Sequence, residues 1–145
     1  VSLTIETAIH IAAPAAQVMQ VLTDFGAYTD WNTYLVRVDG LPVPGSQIVV
    51  HAAMPGRPDP LVQTVDVVEV SALAMRWAGG LADRSQFAGD HWLVVEHDGQ
   101  ATRFLHFEHF SGALAPAILA EHGETIRDNF IRFNEALKRR TETSE

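Results

Sequence analysis

The stretch FLHFEHF, residues 104–110, sets three ionisable side chains among four large apolar ones. Its alternation is that of a strand. A buried strand tolerates His106, Glu108 and His109 only where they line a space or pair with other groups. Just upstream, DHWLVVEHDGQ runs into Asp98-Gly99, a two-residue hairpin signal. With those two as the central pair, His91 stands opposite His106 and Gly89 opposite Glu108. Cross-strand partners share a face. One face then carries Phe87, His91, Leu93, Val95, Phe104, His106, Glu108 and Phe110. The other carries Asp90, Trp92, Val94, Glu96, Arg103, Leu105, Phe107 and His109. Charges spread along the second face suit solvent. The first gathers two histidines and a carboxylate at one end of an apolar surface, which makes it the candidate inner face, and Gly89 leaves room beside the carboxylate.

Three chemistries fit His91, His106 and Glu108. A carboxylate bonded to an imidazole fixes its tautomer and raises its basicity, as general base catalysis requires. In an apolar pocket, desolvation would also raise the pKa of an unpaired Glu108. Such groups can deprotonate carbon next to a carbonyl. Alternatively, the three form a hydrogen-bonded cluster that pins the sheet. Two histidines and a carboxylate can also make a facial metal site, but no H-E-x-x-H or similar spacing supports one, and neither a metal nor a cofactor is expected. Elsewhere, Trp31, Trp77, Phe104 and Phe130 are core or pocket walls, joined on the inner face by Phe87 and Phe110. Asn32 is suited to a ligand or to a turn. His122, within a helical apolar stripe, is either a cavity residue or a satisfied core histidine. His10 and His51 are expected to face outward, and Arg76 to meet an acidic ligand or a surface carboxylate.

The elements that position these residues follow from periodicity. LTIETAIHI (3–11) alternates as a strand, and Pro14 is expected as the first helical residue. Val18, Val21, Leu22 and Phe25 then mark a short amphipathic helix, and DFGAYTDWN a second short helix or turn. From residue 33 the period becomes two. Strands are expected from Tyr34, in SQIVVHAAM, VQTVDVVEV and ALAMRWAG, and in the long hairpin, with breaks at LPVPG and PGRPDP. A long helix spans about 115–140, its stripe running through Leu119, His122, Ile126, Phe130, Phe133 and Leu137. Gly123 within it marks a kink or a close contact. One strand, two short helices, six strands and a long helix make an α+β domain spanning 1–145. A curved sheet around one long helix need not have a filled interior.

The chain has 145 residues, 47% hydrophobic and 19% charged, without cysteine. Thiolate chemistry and disulfides are therefore excluded. Ten basic against eighteen acidic residues give a net charge of −8, which repels nucleic acid and anionic lipid. No apolar run reaches the roughly 18 residues of a membrane span. The opening VSLTIETAIH lacks the basic start and apolar core of a signal peptide, so a cytoplasmic protein, monomeric or homodimeric, is expected. No P-loop, G-x-G-x-x-G or Ser-His-Asp set is present, which disfavours phosphoryl transfer, nicotinamide chemistry and serine hydrolysis.

An ordered set of motifs resembles the START-like, or SRPBCC, superfamily of helix-grip proteins. It comprises I-x-I-A-A-P-A-A-Q-V at 9–18, D-F-x-x-Y-x-x-W-N at 24–32, G-x-x-I at 45–48, R-W-x-G at 76–79, F-x-G-x-H at 87–91 and G-x-x-T-R-F-x-H-x-E-x-F-x-G at 99–112. The family's usual W-N-P is W-N-T here. The sequence looks most like the bacterial polyketide cyclase/dehydrase branch. The resemblance implies a seven-stranded curved antiparallel sheet, two short helices and a long C-terminal helix around a cavity for a hydrophobic or aromatic small molecule. It implies cyclase or dehydratase chemistry with His91 and His106 as acid/base groups and Glu108 as the orienting carboxylate. Non-catalytic binding or transfer, with Trp31, Asn32, Trp77, Phe87, Phe104, Phe110, His122 and Phe130 lining the site, and a cochaperone-like interaction module are the alternatives. Fold alone does not choose among them.

Overall fold

Period-two segments rich in β-branched residues become seven strands in the computed structural model, which describes residues 3–143. They are β1 (Thr4–Ile11), β2 (Leu35–Asp39), β3 (Gln47–Ala52), β4 (Leu61–Val70), β5 (Ala74–Gly80), β6 (Ala88–Asp98) and β7 (Ala101–Ser111). All pairings are antiparallel, in the order β1-β7-β6-β5-β4-β3-β2, so the first two strands form the two edges. Between them in sequence lie α1 (Ala15–Thr23), a 3-10 turn at Phe25–Ala27, and α2 (Tyr28–Trp31). The long helix α3 (Ala115–Thr143) follows β7 and lies in the curl of the sheet. The expected α+β helix-grip architecture holds. No helix among the described residues is long and apolar enough to cross a membrane.

Element ends differ from the sequence expectation in instructive ways. Pro14 is the N-cap of α1, with extended backbone, not its first helical residue. The hairpin register is displaced: His91 faces Glu108, Leu93 faces His106 and Gly89 faces Phe110. Its turn is Gly99-Gln100, with Gly99 at φ +64°. A turn centred on Asp98-Gly99 would put Asp98 in the left-handed region as well, whereas a type II′ turn asks this only of its first central residue, a glycine. The displacement moves each partner by two positions, so both strands keep the expected faces.

Phe104, Leu93, Met75 and Val95 from the sheet meet Leu22, Tyr28, Phe133 and Leu137 from the helices in the main core. The second half of α3 is gripped by polar ties to sheet and loops. Lys138 Nζ donates to the His10 carbonyl at 2.7 Å, and Arg132 donates to the Thr33 and Ala53 carbonyls, each at 3.1 Å. The first half is tied by Arg127, which donates to the Glu6 carbonyl at 2.7 Å, and its inward face runs through Leu119 and Ile126 toward Ile5 and Phe110. His122 lies off that face. It is exposed beside Glu121, neither in the core nor in the cavity. Gly123 makes no close approach, since a Cβ there would meet nothing within 4 Å.

Candidate functional site

Strand alternation turns His91 of β6 and His106 of β7 toward the interior, where they are 7% and 0% exposed. They are diagonal neighbours. Their rings lie 4.8 Å apart and near parallel, with Nε2 to Nε2 at 2.7 Å. Phe130 of α3 stacks on His106 at 4.1 Å, and Trp77 flanks His91 at 5.1 Å.

The protons in this cluster can be placed by bookkeeping. Thr7 of β1 spends its hydroxyl proton on the His106 carbonyl at 2.8 Å, so toward Asn134 it can only accept. The Asn134 amide donates to it at 2.9 Å, which aims Asn134 Oδ1 at His106 Nδ1, 2.8 Å away. His106 therefore carries its proton on Nδ1 and offers Nε2 as an acceptor. His91 must donate from Nε2, which leaves its Nδ1 with a free lone pair. That nitrogen faces Glu108 Oε1 at 3.6 Å.

Burial lowers the His91 pKa from 6.5 to about 3, and it lowers His106 well below the usual range, with the neighbouring His91 adding to the effect. Glu108, its side chain 17% exposed, is raised from 4.5 to about 8 by burial and then by the charge of Asp90. Asp90 lies on the outer face, held by Arg76 at 2.6 and 3.0 Å, with Arg76 over the Trp92 ring. At neutral pH the pair is therefore uncharged: a carboxylic acid beside an imidazole lone pair. Gly89 makes room for it, because a Cβ there would collide with Glu108 Oε2.

Glu108 and His91 open onto a cavity of about 80 Å³ on the inner face of the sheet, also lined by Tyr34, Gln63, Val65, Trp77 and Phe87. That is below the roughly 300–1,000 Å³ usual for small-molecule sites, because aromatic side chains fill most of the interior. A larger depression of about 550 Å³ lies on the outside, against α1 and the end of α3, lined by residues including Gln17, Asp24, Trp31 and Arg140. It is remote in composition from the ionisable cluster.

Among the expected site residues, Trp77, Phe87, His91 and Glu108 line the cavity. His106 sits behind His91, fully buried. Phe104 and Phe130 are core, and Phe110 stacks on Phe87 at 5.7 Å. Trp31 packs on Phe133 at 5.9 Å and edges the outer depression, not the cavity. Asn32 is a turn residue: its Oδ1 accepts from the Tyr34 and Leu35 amides, both at 2.9 Å. Sequence reasoning missed Tyr34, Gln63, Thr7 and Asn134. The signal for Asn134 was a polar residue one position after Phe133 in the helical stripe; no local pattern singled out Tyr34.

Residues 2–142 match the family described as polyketide cyclase / dehydrase and lipid transport. The chain belongs to that family. Solved structures sharing the polyketide cyclase / dehydrase fold are distant in sequence. The Zhui aromatase/cyclase from Streptomyces sp. R1128 aligns at TM-score 0.74 and 16% identity, over 96% of this chain and 93% of its own. A START superfamily protein from Mycobacterium smegmatis aligns at 0.70 and 18%, over 96% and 97%. A protein from Thermus thermophilus aligns at 0.75 and 12%, over 95% and 96%. No curated protein matches this polyketide cyclase / dehydrase family member by sequence.

Proposed function

We propose that the protein binds a compact, mainly apolar carbonyl compound in the cavity on the inner face of the sheet, and that Glu108 and His91 act on it as an uncharged acid–base pair in cyclase or dehydratase chemistry. One observation carries this reading. The Thr7–Asn134–His106–His91 chain fixes every tautomer and leaves a lone pair, at His91 Nδ1, beside Glu108 in the cavity.

The step balances within the pair. His91 Nδ1 takes the proton from carbon next to a carbonyl. The Glu108 acid gives its proton to a departing β-hydroxyl, which leaves as water, or to the oxygen of the carbonyl under attack in an aldol closure. The resulting imidazolium and carboxylate, 3.6 Å apart, return to the neutral pair by moving one proton from Nδ1 to Glu108. His91 is thus the base and Glu108 the acid, with His106 positioning His91. The sequence had suggested an orienting role for the carboxylate. The family's description and the aromatase/cyclase likeness support this class of reaction.

Dehydration of diacetone alcohol to mesityl oxide, followed by ultraviolet absorbance, tests it. Wild-type protein is expected to accelerate the reaction, and Glu108→Gln to lower the rate by about 10²–10⁴-fold. An unchanged rate in Glu108→Gln rejects the assignment. Binding without turnover is the second reading, favoured by His106: buried and bonded at both nitrogens, it ties β7 to α3 whatever the ligand does. On that reading wild-type protein gives no acceleration at all.

A further inference from the structure

Two tyrosines near the interior have opposite fates. Tyr28 is fully buried and donates to the Leu22 carbonyl at 2.6 Å, a structural bond. Tyr34 lines the cavity, and among the described residues its hydroxyl makes no hydrogen bond and is not sealed from the space beside it. Yet it is held firmly. Asn32 accepts from its backbone amide, Phe130 packs on its ring at 6.4 Å, and the Arg132 guanidinium lies 5.9 Å from its centroid. Arg132 is itself anchored on the Thr33 and Ala53 carbonyls and on Asn129 Oδ1. A firmly held phenol on the wall of a small void, with no hydrogen-bond partner among the described residues, is a donor available to a ligand atom.

Glu108 lines the same void and reaches no partner closer than His91. We propose that Tyr34 and Glu108 form a two-donor cradle for one carbonyl or enolate oxygen, with His91 Nδ1 alongside, so that the site favours ligands that carry or develop negative charge on that oxygen. Both residues line the same cavity of only about 80 Å³, which brings them within reach of one compact ligand. Burial, and then the proximity of Glu108, raises the Tyr34 pKa, so the phenol keeps its proton. A carboxylic acid kept neutral in an apolar pocket can donate as the phenol does. Donors held in place before charge develops stabilise it without reorganising. This deepens the acid–base reading and rests on it only for the protonated state of Glu108. It also gives Asn32 a task, the seating of Tyr34.

Para-nitrophenol probes the cradle directly, because its anion absorbs visibly and the neutral isostere para-nitrotoluene has no acidic proton. Below neutral pH, wild-type protein is expected to bind the dye as its anion, shifting its ionisation to lower pH, and to prefer it over para-nitrotoluene. In Tyr34→Phe the preference is expected to fall by about 10- to 100-fold, with para-nitrotoluene bound as before. Equal binding of both probes by wild type, no binding of the dye, or an unchanged preference in Tyr34→Phe overturns the cradle. If anion preference is lost in Tyr34→Phe while diacetone alcohol is not dehydrated by wild type, the cradle stands and turnover falls.

Discussion

A carboxyl group beside an imidazole ordinarily ionises and charges its neighbour. At Glu108 and His91 burial acts on both partners and favours the neutral form of each. The signs in pH follow. The folded state holds the Glu108 proton more tightly than the unfolded chain, so its stabilising contribution is full below about pH 4.5 and is lost as pH rises through about 8. His91 holds its proton less tightly when folded; its contribution is present above about 6.5 and is lost as pH falls toward about 3. Glu108→Gln should therefore abolish one component of the decline in stability between pH 4.5 and 8, measured by denaturant unfolding of both proteins across that range. The proposed catalysis needs the acid protonated and the imidazole neutral, so the rate should be flat through mildly acidic pH and fall above about 8. Asn134→Leu leaves the His106 Nδ1–H buried without an acceptor. It should cost about 1–3 kcal/mol in unfolding free energy, and it should lower the rate by releasing the tautomer of His91.

At the scale of elements, the β6–β7 hairpin decides where the acid sits. Gly89 has no left-handed backbone to justify it; its use is the space its missing Cβ gives to the Glu108 carboxyl. Gly89→Ala should swing that flexible side chain away from His91, lowering the rate at least tenfold while stability changes by no more than about 1 kcal/mol, as thermal unfolding and the dehydration rate would report. The inner face of this hairpin could be read from alternation alone, because a register displaced by two residues preserves parity. Direct opposition could not be read, since it depends on which residue of the turn takes positive φ. Helical periodicity placed Phe130, Phe133 and Leu137 correctly but not His122. Leu119 and Ile126 keep to the same stripe as the core residues, whereas His122 stands at its edge and is left exposed beside Glu121. The roles of Tyr34 and Asn134 could not be read from local pattern. Their roles come from contacts between β1, β7, α3 and the loop before β2, which are remote in sequence.

For the whole molecule, the curl of the sheet around α3 produces the family's architecture, but its interior is nearly full. Trp77 takes a large share, forming both core and cavity wall. Trp77→Ala should cost about 3–5 kcal/mol and widen the cavity enough for naphthol-sized ligands, detectable by quenching of their fluorescence. Compact ligands should bind the wild type, and chain-like ones should need the fold to open. All of this depends on an uncharged acid–base pair held by a fixed chain of protons. A pH titration by nuclear magnetic resonance, following the Glu108 side-chain carbonyl carbon and the ring nitrogens of His91 and His106, reads that state directly. The predicted result is a Glu108 transition near pH 8, with both imidazoles neutral from mildly acidic pH upward and the His106 proton on Nδ1. A Glu108 transition near 4.5 with a protonated His91 at neutral pH would contradict the account.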